Sequence, residues 1–97
     1  MATPEKKVKD KIKRVLVTHG VWYYMPVSSG FGAHGIPDFL CCVSGKLLAV
    51  EAKAGTNKPT GLQEAQMLKM RAAGATTLVV NEGNIEELET WIKSNKQ

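Results

Sequence analysis

The sequence is poor in cysteine: Cys41 and Cys42 are its two, and they are adjacent. Neighbouring side chains on a strand point to opposite faces, so this pair is badly placed to bridge or to share a metal, and zinc-finger spacing is absent. Small buried thiols are the expectation for both. No apolar run approaches the roughly 20 residues of a membrane span, which predicts no membrane partner. The stretch from Met1 to Lys13 is charged and has no apolar centre, unlike a signal peptide, so a soluble cytoplasmic protein is expected. There is no internal repeat, low-complexity tract or interdomain linker, and 97 residues leave no room for a second core. One domain over residues 1–97 is expected. Gly30-Phe31-Gly32 is no phosphate-cradling fingerprint, because the lysine of a P-loop is missing.

What is present divides into regular elements. Thr3 and Pro4 read as an N-cap followed by proline in the first helical position. Val8, Ile12, Val15 and Leu16 then recur at helical spacing, Gly20 supplies a stop, and six Lys and Arg side chains cover the rest of that helix. Val21 to Val27, rich in β-branched and aromatic residues, predicts a strand, with Trp22, Tyr23 and Tyr24 packed in the core or partly given to a subunit interface. Ser28 to Gly35 reads as a glycine-rich loop. Asp38 to Val43 and Lys46 to Lys53 predict a hairpin turning at Ser44-Gly45. Thr60 with Gln63 forms a capping-box pattern for a helix ending near Gly74. Thr76 to Val80 predicts a strand. Asn84 with Glu87 forms a second capping-box pattern, opening a helix with Leu88, Trp91 and Ile92 inward. The order αβββαβα predicts an α/β fold, a mixed four-stranded sheet flanked by helices, with the last two strands parallel.

The chemistry lies between Gly35 and Lys53. Glu51 and Lys53 are two residues apart, so both leave one face of their strand. A strand of Leu, Ala and Val would normally be buried, and ending it in a carboxylate and an ammonium on one face suggests a polar site at the sheet edge. Asp38 opens the partner strand, and the short turn brings it beside Glu51. Two hard carboxylates suit Mg²⁺ or Mn²⁺, which take oxygen ligands and keep several waters. Such an ion lowers the pKa of a water and neutralises charge on a phosphate, and a neighbouring lysine adds to both effects. The expected ligands are Asp38, Glu51 and the Ala52 carbonyl. A Glu-x-Lys pair alone is commonly a solvated pair across a strand; Pro37-Asp38 and the hairpin give this one its weight. A net charge of +4 is compatible with a polyanionic partner and does not demonstrate one.

The set Gly35-Ile36-Pro37-Asp38, Glu51-Ala52-Lys53 and Gln63 resembles the PD-(D/E)xK nuclease superfamily and, more narrowly, its virus-type replication-repair nuclease family, VRR-NUC. The resemblance runs over nearly the whole chain, and αβββαβα matches the restriction-endonuclease-like core. It implies a metal-dependent endodeoxyribonuclease with Asp38, Glu51 and Lys53 catalytic. It also implies Gln63 as a supporting residue and Glu5 of the first helix completing the metal environment. Small standalone members of the family, often from phages, are similar to Holliday-junction resolvases and act as homodimers on branched DNA. This places the chain in a bacterial or phage-infected cell.

Several positions carry a plainer reading beside the functional one. Glu5 in a first turn also suits the helix dipole, and Gln63 also completes its cap. His34 and Gly35, just before the motif, and Lys58, in the connector after it, are candidate DNA contacts; His34 and Lys58 read equally as solvated side chains. Glycines in Ser28–Gly35 would let a DNA backbone come close. His19 reads as a charge partner at a helix C-terminus. Three functions compete: a nuclease selective for branched or four-way DNA, a flap or nonspecific nicking nuclease, and a catalytically silent DNA-binding module.

Overall fold

The computed structural model describes residues 2–27 and 34–97. The elements run α1 (Pro4–Thr18), β1 (Trp22–Tyr24), β2 (Phe39–Val43), β3 (Lys46–Ala52), α2 (Gly61–Ala72), β4 (Thr76–Val80) and α3 (Ile85–Asn95). They form a four-stranded mixed sheet in the order β1-β2-β3-β4, with β3 and β4 parallel and the other pairs antiparallel. The αβββαβα α/β fold expected from the pattern is the fold observed. Among the described residues, no helix is long and apolar enough to cross a membrane.

Local chemistry sets most boundaries. The Thr3 hydroxyl accepts from the Lys6 N–H, and Pro4 opens α1. The helix closes in a Schellman motif: Val21 N–H donates to the Leu16 carbonyl, Gly20 N–H to that of Val17, and Gly20 takes φ +65°. The Ser44-Gly45 turn has φ of +49° and +82°, the left-handed pair whose twist suits a two-residue hairpin. Strand β1 is shorter than Val21 to Val27. Its pairing stops at Tyr24, opposite Leu40, and Pro26 beyond it has no N–H for a ladder. Asn84 is the N-cap residue of α3, but its side chain makes no capping bond. Its Oδ1 accepts from the Asn81 N–H at 2.6 Å, and its Nδ2 donates to the Val79 carbonyl and to Glu87. The amide is spent on the preceding turn, which corrects the second capping-box expectation.

Helices α1 and α3 cover one face of the sheet. Val8, Ile12, Leu16, Leu88 and Ile92 pack there on Phe39, Cys41, Leu48, Val50 and Val80. Each such aliphatic or aromatic side chain contributes roughly 1.5–3 kcal/mol on burial. Helix α2 lies on the other face and covers only its β3–β4 side, where Ala49 and Met67 are buried. The β1–β2 side is bare: Trp22 is 66 % exposed, Tyr24 54 % and Leu47 45 %. Cys42, which pairs with both Trp22 and Leu47, shares this face and is exposed, whereas Cys41 is buried. The expectation of two buried thiols is therefore corrected at Cys42. Of the aromatic triplet, Tyr23 alone packs inward, its ring 6.0 Å from that of Phe39.

Candidate active site

The hairpin brings the two carboxylates together. Phe39 pairs with Val50, so one further step of the same register sets Asp38 opposite Glu51 on one face. Burial of Pro37 fixes the chain just before Asp38. The Asp38 Oδ2 accepts from the Ala52 N–H at 2.9 Å, which fixes that oxygen and leaves Oδ1 turned outward. Lys53 N–H bonds to the Val80 carbonyl on the β4 side. Alternation along the strand therefore aims the main-chain groups of Ala52, its carbonyl included, at Asp38.

Glu51 is 2 % exposed and is the buried charged residue of the described chain. Its Oε2 accepts from Gln63 Nε2 at 2.9 Å and lies 3.3 Å from Lys53 Nζ. Its Oε1 is buried with no hydrogen-bond partner among the described residues. Burial pushes this carboxyl up to about 7, the charge of Asp38 adds to the rise, and Lys53 and the Asp38 backbone N–H oppose it. A buried carboxylate oxygen with nothing to bind is costly unless a cation meets it.

Gln63 does two jobs with one amide. Its Oε1 accepts from the Thr60 N–H at 2.9 Å, while Thr60 Oγ1 accepts from the Gln63 N–H at 3.2 Å, closing the capping box. The opposite end of the amide is thereby aimed at Glu51. Gly35 secures this helix start against the motif loop. At φ +80° it lies so close to α2 that a Cβ there would sit 2.5 Å from the Leu62 carbonyl oxygen and 2.9 Å from the Gln63 nitrogen. Gly35 thus packs on α2, in addition to any approach to a ligand.

Glu5 meets this group only through Lys9. Lys9 Nζ is 3.5 Å from Asp38 Oδ1 and 3.9 Å from Glu5 Oε2. In the sequence Lys9 is one of the lysines decorating α1; its spacing of four from Glu5 on one helix face was the available signal. Among the described residues, no three of His, Cys, Asp and Glu form a ready cage for a metal. The donors that fit a hard divalent cation are Asp38 Oδ1, the unpartnered Glu51 Oε1 and the Ala52 carbonyl, a partial set of the kind Mg²⁺ completes with water or phosphate oxygens.

Exposed His34 lines a groove with Pro26, Val27, Gly35, Ile36, Pro37 and Asp38 that leads to this cluster. Lys58 is exposed in the connector after Lys53 and makes no hydrogen bond or ion pair among the described residues. The suggestion that the loop glycines approach DNA falls for Ser28 to Ala33 outside the described residues. His19 is drawn elsewhere: its Nε2 meets Glu89 Oε2 at 2.9 Å and ties the end of α1 to α3. This contact holds the Glu89 carboxyl below its ordinary range.

No protein-family profile matches the chain, and no curated protein does. A solved structure described as a VRR_NUC domain superposes on it with a TM-score of 0.75 and 25 % sequence identity, over 90 % of this chain and 95 % of that one. The chain has the fold of a VRR-NUC domain. This VRR-NUC fold is that of a nuclease domain, with DNA as the class of substrate such a domain implies.

Proposed function

We propose that this VRR-NUC domain is a divalent-metal-dependent DNA endonuclease that hydrolyses phosphodiester bonds in branched DNA such as four-way junctions. The observation that carries the metal requirement is Glu51 Oε1, buried without a hydrogen-bond partner among the described residues, on a strand whose register sets Asp38 opposite it. In this reading Asp38, Glu51 and the Ala52 carbonyl hold Mg²⁺ or Mn²⁺, with Glu5 joining through the surrounding water. A cation there supplies Lewis acidity toward the attacking water and the charge on the phosphate. Lys53, 3.3 Å from Glu51, orients the attacking water or meets the charge growing on the phosphoryl oxygens. The water oxygen forms a new bond to phosphorus, one P–O ester bond breaks, and the departing oxygen gains a proton. Gln63 keeps Glu51 turned toward the cation. His34, Gly35 and Lys58 contact the DNA backbone on either side.

A homodimer fits the same reading. A four-way junction offers two symmetry-related strands, and an isologous pair presents two matched sites. The bare half of the sheet, with Trp22, Tyr24 and Leu47 exposed, is the surface such a pair would cover. The setting is the cytoplasm of a bacterial or phage-infected cell, and the catalytic unit is residues 1–97.

The decisive experiment cleaves matched four-way, flap, nicked and linear duplexes with Mg²⁺, Mn²⁺ or a chelator, with the oligomer mass measured on the same preparation. Metal-dependent cutting that favours the junction is expected. A loss of about 100-fold or more is expected for each of Asp38→Ala, Glu51→Ala and Lys53→Ala. Equal cutting of flap or linear DNA replaces junction selectivity by a nicking activity. Binding without any cutting makes the chain a silent DNA-binding module, and full activity in all three variants rejects the site.

A further inference from the structure

Lys9 reaches the site from α1, the helix it shares with Glu5, and not from the hairpin or α2. Its ammonium comes closer to Asp38 on the hairpin, at 3.5 Å, than to Glu5 one turn away on its own helix, at 3.9 Å. The contact is therefore more than a surface pair within α1. It engages Oδ1, the oxygen of Asp38 that the Ala52 N–H leaves free. Both separations exceed the roughly 2.7–2.9 Å of a close charge-assisted hydrogen bond, so the ammonium is held by charge and not locked by geometry. Lys9 is partly exposed, and its four-carbon stem lets the head group move away at little cost.

From this geometry we infer that Lys9 is the built-in counter-cation of the metal-free site. It neutralises Asp38 and Glu5 until a divalent ion binds, and it must leave Asp38 Oδ1 for that ion to take the oxygen. The inference rests on the metal site proposed above. Lys9 is accordingly a positioning residue that weakens metal binding in the absence of substrate. Once released, its ammonium remains beside the site on α1, available to a phosphate oxygen.

The test is titration of metal-free protein with Mn²⁺, followed by the electron paramagnetic resonance signal of the free ion at pH 8. The variants are Lys9→Gln, Lys13→Gln and Glu51→Gln, each checked for helix content. Lys13 lies one turn further along α1, in the same surface hollow as Glu5 and Lys9, and its replacement removes an equal charge; among the described residues it makes no ion pair with Asp38. Lys9→Gln is expected to bind Mn²⁺ about five-fold more tightly than the parent chain, the scale of one unit charge at this range in water. Lys13→Gln is expected to change the affinity by less than about two-fold, because salt screens the more distant charge. Unchanged or weaker binding by Lys9→Gln, or an equal gain in Lys13→Gln, overturns the role of Lys9 and leaves the metal site standing. A parent chain whose Mn²⁺ binding is absent, or is indifferent to Glu51→Gln, overturns both.

Discussion

Gln63 Nε2 donates to Glu51 Oε2 at 2.9 Å, across the gap between the first turn of α2 and the end of β3. The amide cannot flip, because its Oε1 is needed by the Thr60 N–H. The start of the helix thus orients the buried carboxylate. Gln63→Leu removes both contacts while keeping the bulk. It is expected to cost about 1 kcal/mol of helix capping and about 10–100-fold in metal-dependent cleavage. Gln63→Glu keeps an acceptor for Thr60 but turns a like charge on Glu51. It is expected to retain the helix cap, to lose stability from the repulsion at Glu51, and to shift the rising limb of the pH–rate profile upward. Chemical denaturation and cleavage rates against pH separate the two.

Glu51 ties stability to pH in an unusual direction. Its carboxyl is raised from 4.5 to about 7 in the folded chain, so between those values the folded state holds a proton that the unfolded state has lost. Its contribution is therefore full below about 4.5, falls as pH rises, and is gone above about 7, a swing on the order of 3 kcal/mol. Metal-free protein is expected to melt at a higher temperature at pH 5.5 than at pH 8, and Glu51→Gln to flatten the difference. Mn²⁺ at pH 8 is expected to restore stability to the parent chain by mass action. A parent chain that is equally stable at both pH values without metal refutes the assignment.

Gly35 is constrained by a neighbour as well as by its own backbone, and Gly45 by its backbone alone. Both have φ near +80°, but a Cβ at Gly45 meets nothing within 4 Å, whereas one at Gly35 strikes the Leu62 carbonyl. Gly45→Ala is expected to cost roughly 1–2 kcal/mol from the left-handed conformation and to leave cleavage unchanged. Gly35→Ala is expected to cost more, and to lower cleavage beyond the loss of folded protein, because α2 and Gln63 must move. Unfolding curves and specific activity of the two variants decide this.

The two thiols report on the bare half of the sheet. Burial pushes Cys41 up to about 12, while Cys42 is exposed beside Trp22 and Leu47. A maleimide is expected to add once per chain, at Cys42, with a rate that falls as protein concentration rises if two copies pair on this face. Trp22→Ser is expected to abolish that concentration dependence. Mass spectrometry of the adduct over a dilution series reads both effects.

The sequence by itself determined the elements and their order, because the signals for them are local. Thr3-Pro4, Gly20, the Thr60–Gln63 box and Ser44-Gly45 each act within a few residues of themselves. Period-two alternation likewise set Glu51 and Lys53 on one face, where they lie 3.3 Å apart. Tertiary structure decided what depends on residues distant in the chain. It brought Lys9 onto Asp38. It also left Trp22, Tyr24 and Cys42 exposed, because α2 packs over the β3–β4 side of that face. Composition and periodicity mark a side chain as apolar or charged, but what lies above it is set by how the helices pack across the sheet.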